Sequence, residues 1–575
     1  MGTFSERRVV VRGSAAVLGL VASVGCAVSS QPCEPGHACS GGAGTSGSSS
    51  AGGGSGGSDA GPGMPLGDGG DGNPSAAGAP ATHAGGTGTT TGGSGGAAEA
   101  ASGGEAGTGG YVVASGGSAG CHGTVRDDSG GAATNVGDSG GAPTSAGAGG
   151  VDCDFDESAT PTRGLVVSDN GIAFTSTPTL QHLTETVRIT DQHGAPVTWF
   201  AQSNRSWLNV AHDANADSVL VLEADPSLLA AETFDVATVS VAASQCGSVA
   251  ETIRVGFWVT EHTINERTKL TLNATSLATD PIRPYAYVAV GSDVAVYNVY
   301  SGAHLTTFSN VAPNIGDMVV SSDGARLFVI DTTNFAVVPV DLEHGNLGVS
   351  WPLGDAAPAS VAYTRRRGQG LVITGNGSFF DATTGERFAA RFSGGYYGNV
   401  VVSASRDGSR FCALDMGLSP YSMGCTALDF DAGASGVVLG SYVSAQSSGN
   451  WGVGSNGQDV ALTSDGSRAF VASGAPYDFR GYDTSTGSVL QALPGDAYPN
   501  NVEVTDQGLL VAGASVWYDD NDVWVYDAAG FLLASHKLSG YAQALRPRQL
   551  KASGDGLRLV ALTDDPLLAF VTAVP

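Results

Sequence analysis

Gly137-Asp138-Ser139-Gly140-Gly141 is a string of the kind that surrounds a nucleophilic serine. Acyl transfer needs that serine on a rigid turn, beside a His base and an oxyanion hole. Here the flanks are Thr-Asn-Val and Ala-Pro-Thr-Ser-Ala-Gly, with no strand before and no helix after. Such strings arise by chance in a Gly- and Ser-rich tract, so Ser139 is given no catalytic role.

Metal ligands are scattered. His262, His304, His344 and His536 lie far apart in the C-terminal half, which argues against a His-rich copper centre. Trp517-Tyr518-Asp519-Asp520-Asn521-Asp522 falls at an expected hairpin tip. Calcium prefers six to eight oxygens, so Asp519, Asp520 and Asp522 are the calcium candidates. The EF-hand spacing is missing, and an exposed acidic tip is the simpler reading. No cofactor is expected. Trp199, Trp351, Trp451 and Trp517, with Tyr396 and Tyr397, are the candidates for a face that binds sugar or protein. The competing reading is core packing, where large aromatics dominate.

The totals narrow the partners. The chain has 575 residues, a formal net charge of −28 and only three lysines, Lys269, Lys537 and Lys551. It lacks the basic face that neutralises phosphates, so nucleic acid is excluded as a partner. Of 86 glycines, 40 lie between Ser40 and Gly150. That tract holds too few apolar residues to offset the entropy of ordering, so residues 27–151 are read as a disordered tether. Its ~110 residues give a reach of about 55–60 Å.

Arg7, Arg8 and Arg12 precede a short apolar run, Gly13 to Val24, and then Gly25-Cys26. The run is too short for a spanning helix and reads as an export signal over residues 1–26. Small residues before Cys26 resemble the bacterial lipoprotein signal, which implies acylation of Cys26 and a cell-envelope or cell-surface location, the alternative being secretion. The membrane is then a partner through the lipid anchor.

Residues 152–261 alternate polar and apolar in short segments, as a β-sandwich does. Arg205-Ser206-Trp207-Leu208-Asn209-Val210, Ala224-Asp225-Pro226-Ser227 and Ala237-Thr238-Val239-Ser240-Val241 resemble the BACON-type immunoglobulin-like domain. That resemblance implies the fold and, by the family name, carbohydrate attachment.

Residues 262–575 repeat. Ser321-Ser-Asp-Gly-Ala-Arg-Leu-Phe-Val-Ile330 returns as Thr463-Ser-Asp-Gly-Ser-Arg-Ala-Phe-Val-Ala472. A turn before a strand recurs at Arg283-Pro284, Asp323-Gly324, Arg367-Gly368, Asp407-Gly408, Asp465-Gly466, Gln507-Gly508 and Asp555-Gly556. In the third copy Arg365-Arg366-Arg367-Gly368 replaces the Asp-Gly turn. A second turn follows in all but the last copy. The period is that of propeller blades. Arg267 to Asn273, ahead of the first copy, is expected to supply the strand that the last copy lacks. The reading is all-β: a seven-bladed β-propeller after an Ig-like sandwich and a tether. The repeat text resembles the YVTN and lactonase-like propellers.

Eight cysteines in an exported chain suit disulfides. Cys33 and Cys39 flank a Pro-Gly turn. Cys153 and Cys246 flank the sandwich, while Cys121 lies in the tether. Aligning the fourth repeat on the second puts Cys412 at Phe328 and Cys425 at Val337, nearly opposite on adjacent strands, so a disulfide is expected. The functional reading is a binding or scaffold protein for a glycan, protein or other surface ligand. The alternative is a lactonase-like hydrolase using the channel of the propeller.

Overall fold

The computed structural model describes residues 164–575, apart from 214–215, 244–249, 355, 393–399, 432–435, 446–453, 516–520, 539–543 and 565–566. The expected signal (1–26) and tether (27–151) lie outside the described residues. The described residues are all-β, in nine sheets of four or five strands, with one 3-10 turn at Pro226–Leu228 and no α-helix.

The first two sheets share one core. A four-stranded sheet runs Leu165–Val167, Thr184–Asp191, Ala216–Ala224, Leu208–Asp213. A five-stranded sheet runs Gln181–His182, Gly171–Ser176, Glu251–Val259, Thr233–Ala243, Trp199–Ser203. Alternation decides which side chains face inward. Val187 and Ile189 are buried while Thr186 and Arg188 face solvent. Leu165, Val187, Leu220, Val239 and Phe257 meet in the shared core.

Seven four-stranded sheets follow. Their leading strands are Leu277–Thr279, Ile315–Val320, Val361–Arg366, Val400–Ala404, Ser455–Leu462, Pro499–Val504 and Leu545–Ala552. The next strand of each is buried on both faces, which explains runs such as Leu327-Phe-Val-Ile330. Leu327 and Val329 pack with the first sheet, and Phe328 and Ile330 with the third. The same division recurs through the fourth to seventh sheets. Val560, Leu562 and Phe570 of the seventh sheet then pack with Leu277, Val288 and Tyr297 of the first.

The repeated residues build one turn. Ser321 Oγ accepts the Arg326 backbone N–H at 2.9 Å, and Asp323 Oδ1 accepts the Ala325 N–H at 3.0 Å. Gly324 sits at φ +65°, which a side chain would strain. Ser405/Asp407, Thr463/Asp465 and Ser553/Asp555 repeat these bonds. The arginine that follows reaches the second turn of the next sheet. Arg326 donates to the carbonyl oxygens of Ala382 and Thr383, Arg410 to that of Thr484, and Arg468 to that of Ala528.

Arg267–Thr271 pairs antiparallel with Leu567–Thr572 and completes the seventh sheet. Arg558, fully buried, makes the corresponding reach from the seventh sheet to the first. Its Nε donates to the Val299 carbonyl at 3.3 Å, and its Nη1 to those of Asn265 and Glu266 at 3.1 Å. Burial pulls its pKa down to about 10, so it stays charged at neutral pH.

In the fourth sheet Cys412 stands directly opposite Cys425, with sulfurs 1.96 Å apart in a disulfide and Cα atoms 4.0 Å apart. The register differs from the alignment by two residues. Phe328 faces Pro339, not Val337, so Cys425 occupies the position of Pro339.

Arg558→Leu removes the donor that joins both ends of the sheet series. An unmet buried carbonyl costs about 1–3 kcal/mol, so a loss of about 3 kcal/mol is expected. Hydrogen exchange should accelerate first at 267–271 and 567–572. Unchanged protection there would contradict this role.

Candidate functional site

The leading strands of all seven sheets line one axial cavity of about 250 Å³. Most of its wall is small or apolar, as at Ala278, Val319, Ala404, Ala461, Val504 and Ala552. Among the described residues its charged members are Asp317, Arg406, Glu503, Asp506 and Lys551, and none of its lining is histidine.

These charges are matched. Lys551 Nζ lies 3.0 Å from Glu503 Oε2. Asp317 Oδ2 accepts the Val361 N–H at 3.0 Å, with Arg548 Nη1 3.9 Å away. Arg548 also donates to the Ala359 carbonyl at 2.7 Å, so a residue of the seventh sheet braces the third. Beside them Asp459 is buried and accepts the Val460 and Val502 N–H groups at 3.0 Å. Burial pushes its pKa up to about 6.

One mouth of the cavity is covered by the sandwich. The loop between Leu165–Val167 and Gly171–Ser176 carries Asp169, whose Oδ2 lies 2.6 Å from Arg406 Nη1. Asp506 Oδ2 takes the same nitrogen at 2.6 Å, and the Gly171 carbonyl accepts from it at 3.2 Å. Ser322 Oγ donates to Asn170 Oδ1 at 2.5 Å. A Cβ on Gly171 would stand 1.6 Å from the Ser322 carbonyl oxygen, so only glycine fits. Burial, with Asp169 and Glu503 adding negative charge, pushes Asp506 up to about 7 despite Arg406.

The contact extends across the face made by the first and second turns of the sheets. Arg365 pairs with buried Glu251 at 3.1 Å, and Arg254 with Glu343 at 2.5 Å. Arg367 donates to Gln192 at 3.1 Å. Thr175 donates to Asp555 at 2.5 Å, and Tyr300 donates to the same carboxylate. Trp258 stacks on Tyr300 at 4.7 Å. The third-copy departure Arg365-Arg366-Arg367 thus has a physical cause: two of its arginines hold the sandwich. Sequence reasoning missed this contact. Its signal was a repeat position with the wrong residues for the repeat.

Several expected site residues are corrected. Trp199 is no sugar platform: it is buried in the sandwich core, stacked on His212 at 3.8 Å, and donates to the Asp217 carbonyl. Trp351 is buried between Phe328 and Phe380. Asp522 is not part of an exposed calcium loop. It is 1% exposed, and its Oδ1 accepts the Leu538 N–H at 2.7 Å. For both tryptophans burial is set by a neighbouring sheet that local sequence does not reveal. Asp519, Asp520, Trp451, Trp517, Tyr396 and Tyr397 lie outside the described residues, as do Cys26, Cys33, Cys39, Cys121, Cys153 and Cys246. Among the described residues no three His, Cys, Asp or Glu side chains are grouped to hold a metal. His344 pairs with Asp341 on the surface, and His536 is buried against the Ala573 carbonyl.

The shared guanidinium makes a pH prediction. Asp506 takes its proton at about 7 in the folded chain, against about 3.9 unfolded. Its stabilising contribution is full below the unfolded pKa and is lost as pH rises through the folded one. Urea stability should therefore fall between about pH 5 and about pH 8, by up to about 2 kcal/mol more in the wild type than in Asp506→Asn. Equal slopes would show that Asp506 is ionised throughout.

No known family model matches the chain, and no curated protein sequence matches it.

Proposed function

We propose that this chain is an exported, lipid-anchored envelope protein that presents a rigid binding module to a glycan, protein or other surface ligand. The seven stacked sheets are the blades of a closed seven-bladed β-propeller of YVTN or lactonase-like type. Support comes from the cyclic order of their cores and from the strand that the N-terminal side lends to the last sheet. The preceding pair of sheets is an Ig-like domain of BACON type. Cys26 carries the lipid, and the Gly/Ser-rich tract is the stalk.

The observation that carries a binding rather than a catalytic reading is the covered cavity mouth. Asp169-Asn170-Gly171 lies over it, and Arg406 is held by two carboxylates at once. A hydrolase needs an acid or base within reach of substrate. Here Asp506, although it titrates near neutral pH, is paired with Arg406 beneath Asp169 of the sandwich loop, and Glu503 is paired with Lys551. The module is therefore a scaffold whose outer surfaces meet the ligand.

Two measurements test this. The purified chain should leave aliphatic and aryl lactones at the uncatalysed rate. Hydrolysis abolished by Glu503→Gln would replace the binding reading with the lactonase-like one. Metabolic labelling with a fatty acid should mark the wild type and not Cys26→Ser, and equal labelling would remove the anchor.

A further inference from the structure

A second cavity, of about 420 Å³, lies between the sandwich and the third, fourth and fifth sheets. Pockets of this size at the junction of two modules are common ligand sites. The sandwich contributes Arg188, Ser168 and Thr190, and the repeat face contributes Arg366, Arg410, Asp407, Asp465 and Asp483.

The arginines are unusual in their partners. Arg366 Nη1 donates to the Asp407 carbonyl at 3.2 Å, and Arg410 Nη1 to the Thr484 carbonyl at 3.2 Å. Neither guanidinium has a carboxylate partner among the described residues. Arg188 is exposed, and its guanidinium has no partner among them. A guanidinium carries five N–H donors, so most donors here are unspent.

The three carboxylates are also half used. Asp407 Oδ1 accepts the Ser409 N–H, Asp465 Oδ1 the Ser467 N–H and Oγ–H, and Asp483 Oδ1 the Ser485 N–H and Oγ–H. The bonds from their own turns converge on Oδ1, which leaves each Oδ2 as an acceptor. The Ser485 and Thr486 donors hold the Asp483 pKa down at about 2, so it is ionised at any working pH.

The cleft therefore offers three cationic forks and three anionic acceptors in balance. A simple anion or cation would meet repulsion from half of them. A ligand is needed whose groups donate to carboxylate and accept from guanidinium at the same time, and hydroxyl groups do both. Neighbouring hydroxyls of a pyranose ring also match the two-pronged geometry of Arg and Asp side chains. Among the described residues no aromatic side chain lines the cleft, so recognition there is by hydroxyl edges. We propose that this cleft binds a neutral oligosaccharide. This rests on the binding reading above and names its ligand class and its site.

The full chain is tested on an array of immobilised neutral and uronate oligosaccharides, and the strongest hit is titrated by calorimetry. Arg188→Gln is the first variant, because Arg188 has no partner to lose and folding should be unaffected. Arg366→Gln is the second. The expected result is binding of a neutral oligosaccharide, weakened at least tenfold by Arg188→Gln at unchanged melting temperature. Neutral-sugar binding that neither variant changes would overturn the cleft assignment and leave the glycan reading standing. Binding of uronates alone would overturn the neutral class. An array with no bound glycan would overturn both this site and the glycan reading of the module.

Discussion

The structure depends on a single repeated interaction: an arginine, held in place by an Asp-Gly turn, that donates across to the next sheet. Arg326, Arg410 and Arg468 do this in the series, and Arg558 does it where the seventh sheet meets the first. A four-stranded sheet has two apolar faces and cannot bury them alone. Stacking gives each face a neighbour, and the arginine sets how neighbouring turns align. A hydrogen bond from a charged donor to a carbonyl is worth about 1.5–3 kcal/mol, so the staple outweighs any single cross-strand pair. Where the partner carbonyls belong to the other end of the domain, as for Arg558, the same bond also closes a long loop in sequence.

Fixing the turns gives a rigid face, and that face makes the sandwich more than a spacer. A mobile spacer would meet the repeat through one linker. Here Glu251, Arg254, Asp169, Asn170, Gln192 and Thr175 engage turns of four different sheets. Gly171 and Gly256 let backbone approach backbone, since a Cβ at Gly256 would lie 1.8 Å from the Ile282 carbonyl oxygen. Several of these contacts are buried charges, which specify one geometry more than they stabilise it. The sandwich lies over the axial cavity on that side, through Asp169 on Arg406 and Asn170 on Ser322, and the cleft beside it lies over the third, fourth and fifth sheets.

Much of the fold was legible in the sequence. The repeat was visible because its turn needs fixed residue types: Gly324 for positive φ, Asp323 to cap, Arg326 to reach onward. The strand supplied from residues 267–271 was legible by counting, because the last copy ends short. Facing cysteines at 412 and 425 were legible from repeat alignment, with a two-residue slip at the hairpin. Trp199 and Trp351 take the packing role that the sequence offered as the competing reading, whereas Asp522, read as part of an exposed tip, is buried. Each sits in locally ambiguous sequence; the tryptophans are packed by strands of another sheet, and Asp522 by the turn that follows its own hairpin. Arg406 and Asp506 were invisible as a pair, since they lie in different sheets and the carboxylate that joins them, Asp169, belongs to another module.

One measurement tests the two modules as a single body. Spin labels at Thr186 in the sandwich and Leu305 in the first sheet, both exposed positions, report their separation by pulsed electron resonance. A sandwich clamped over the cavity mouth predicts a single narrow distance distribution, the same with and without ligand. A broad distribution would mean that the sandwich moves freely. The covered mouth, and the cleft that depends on it, would then not exist in solution.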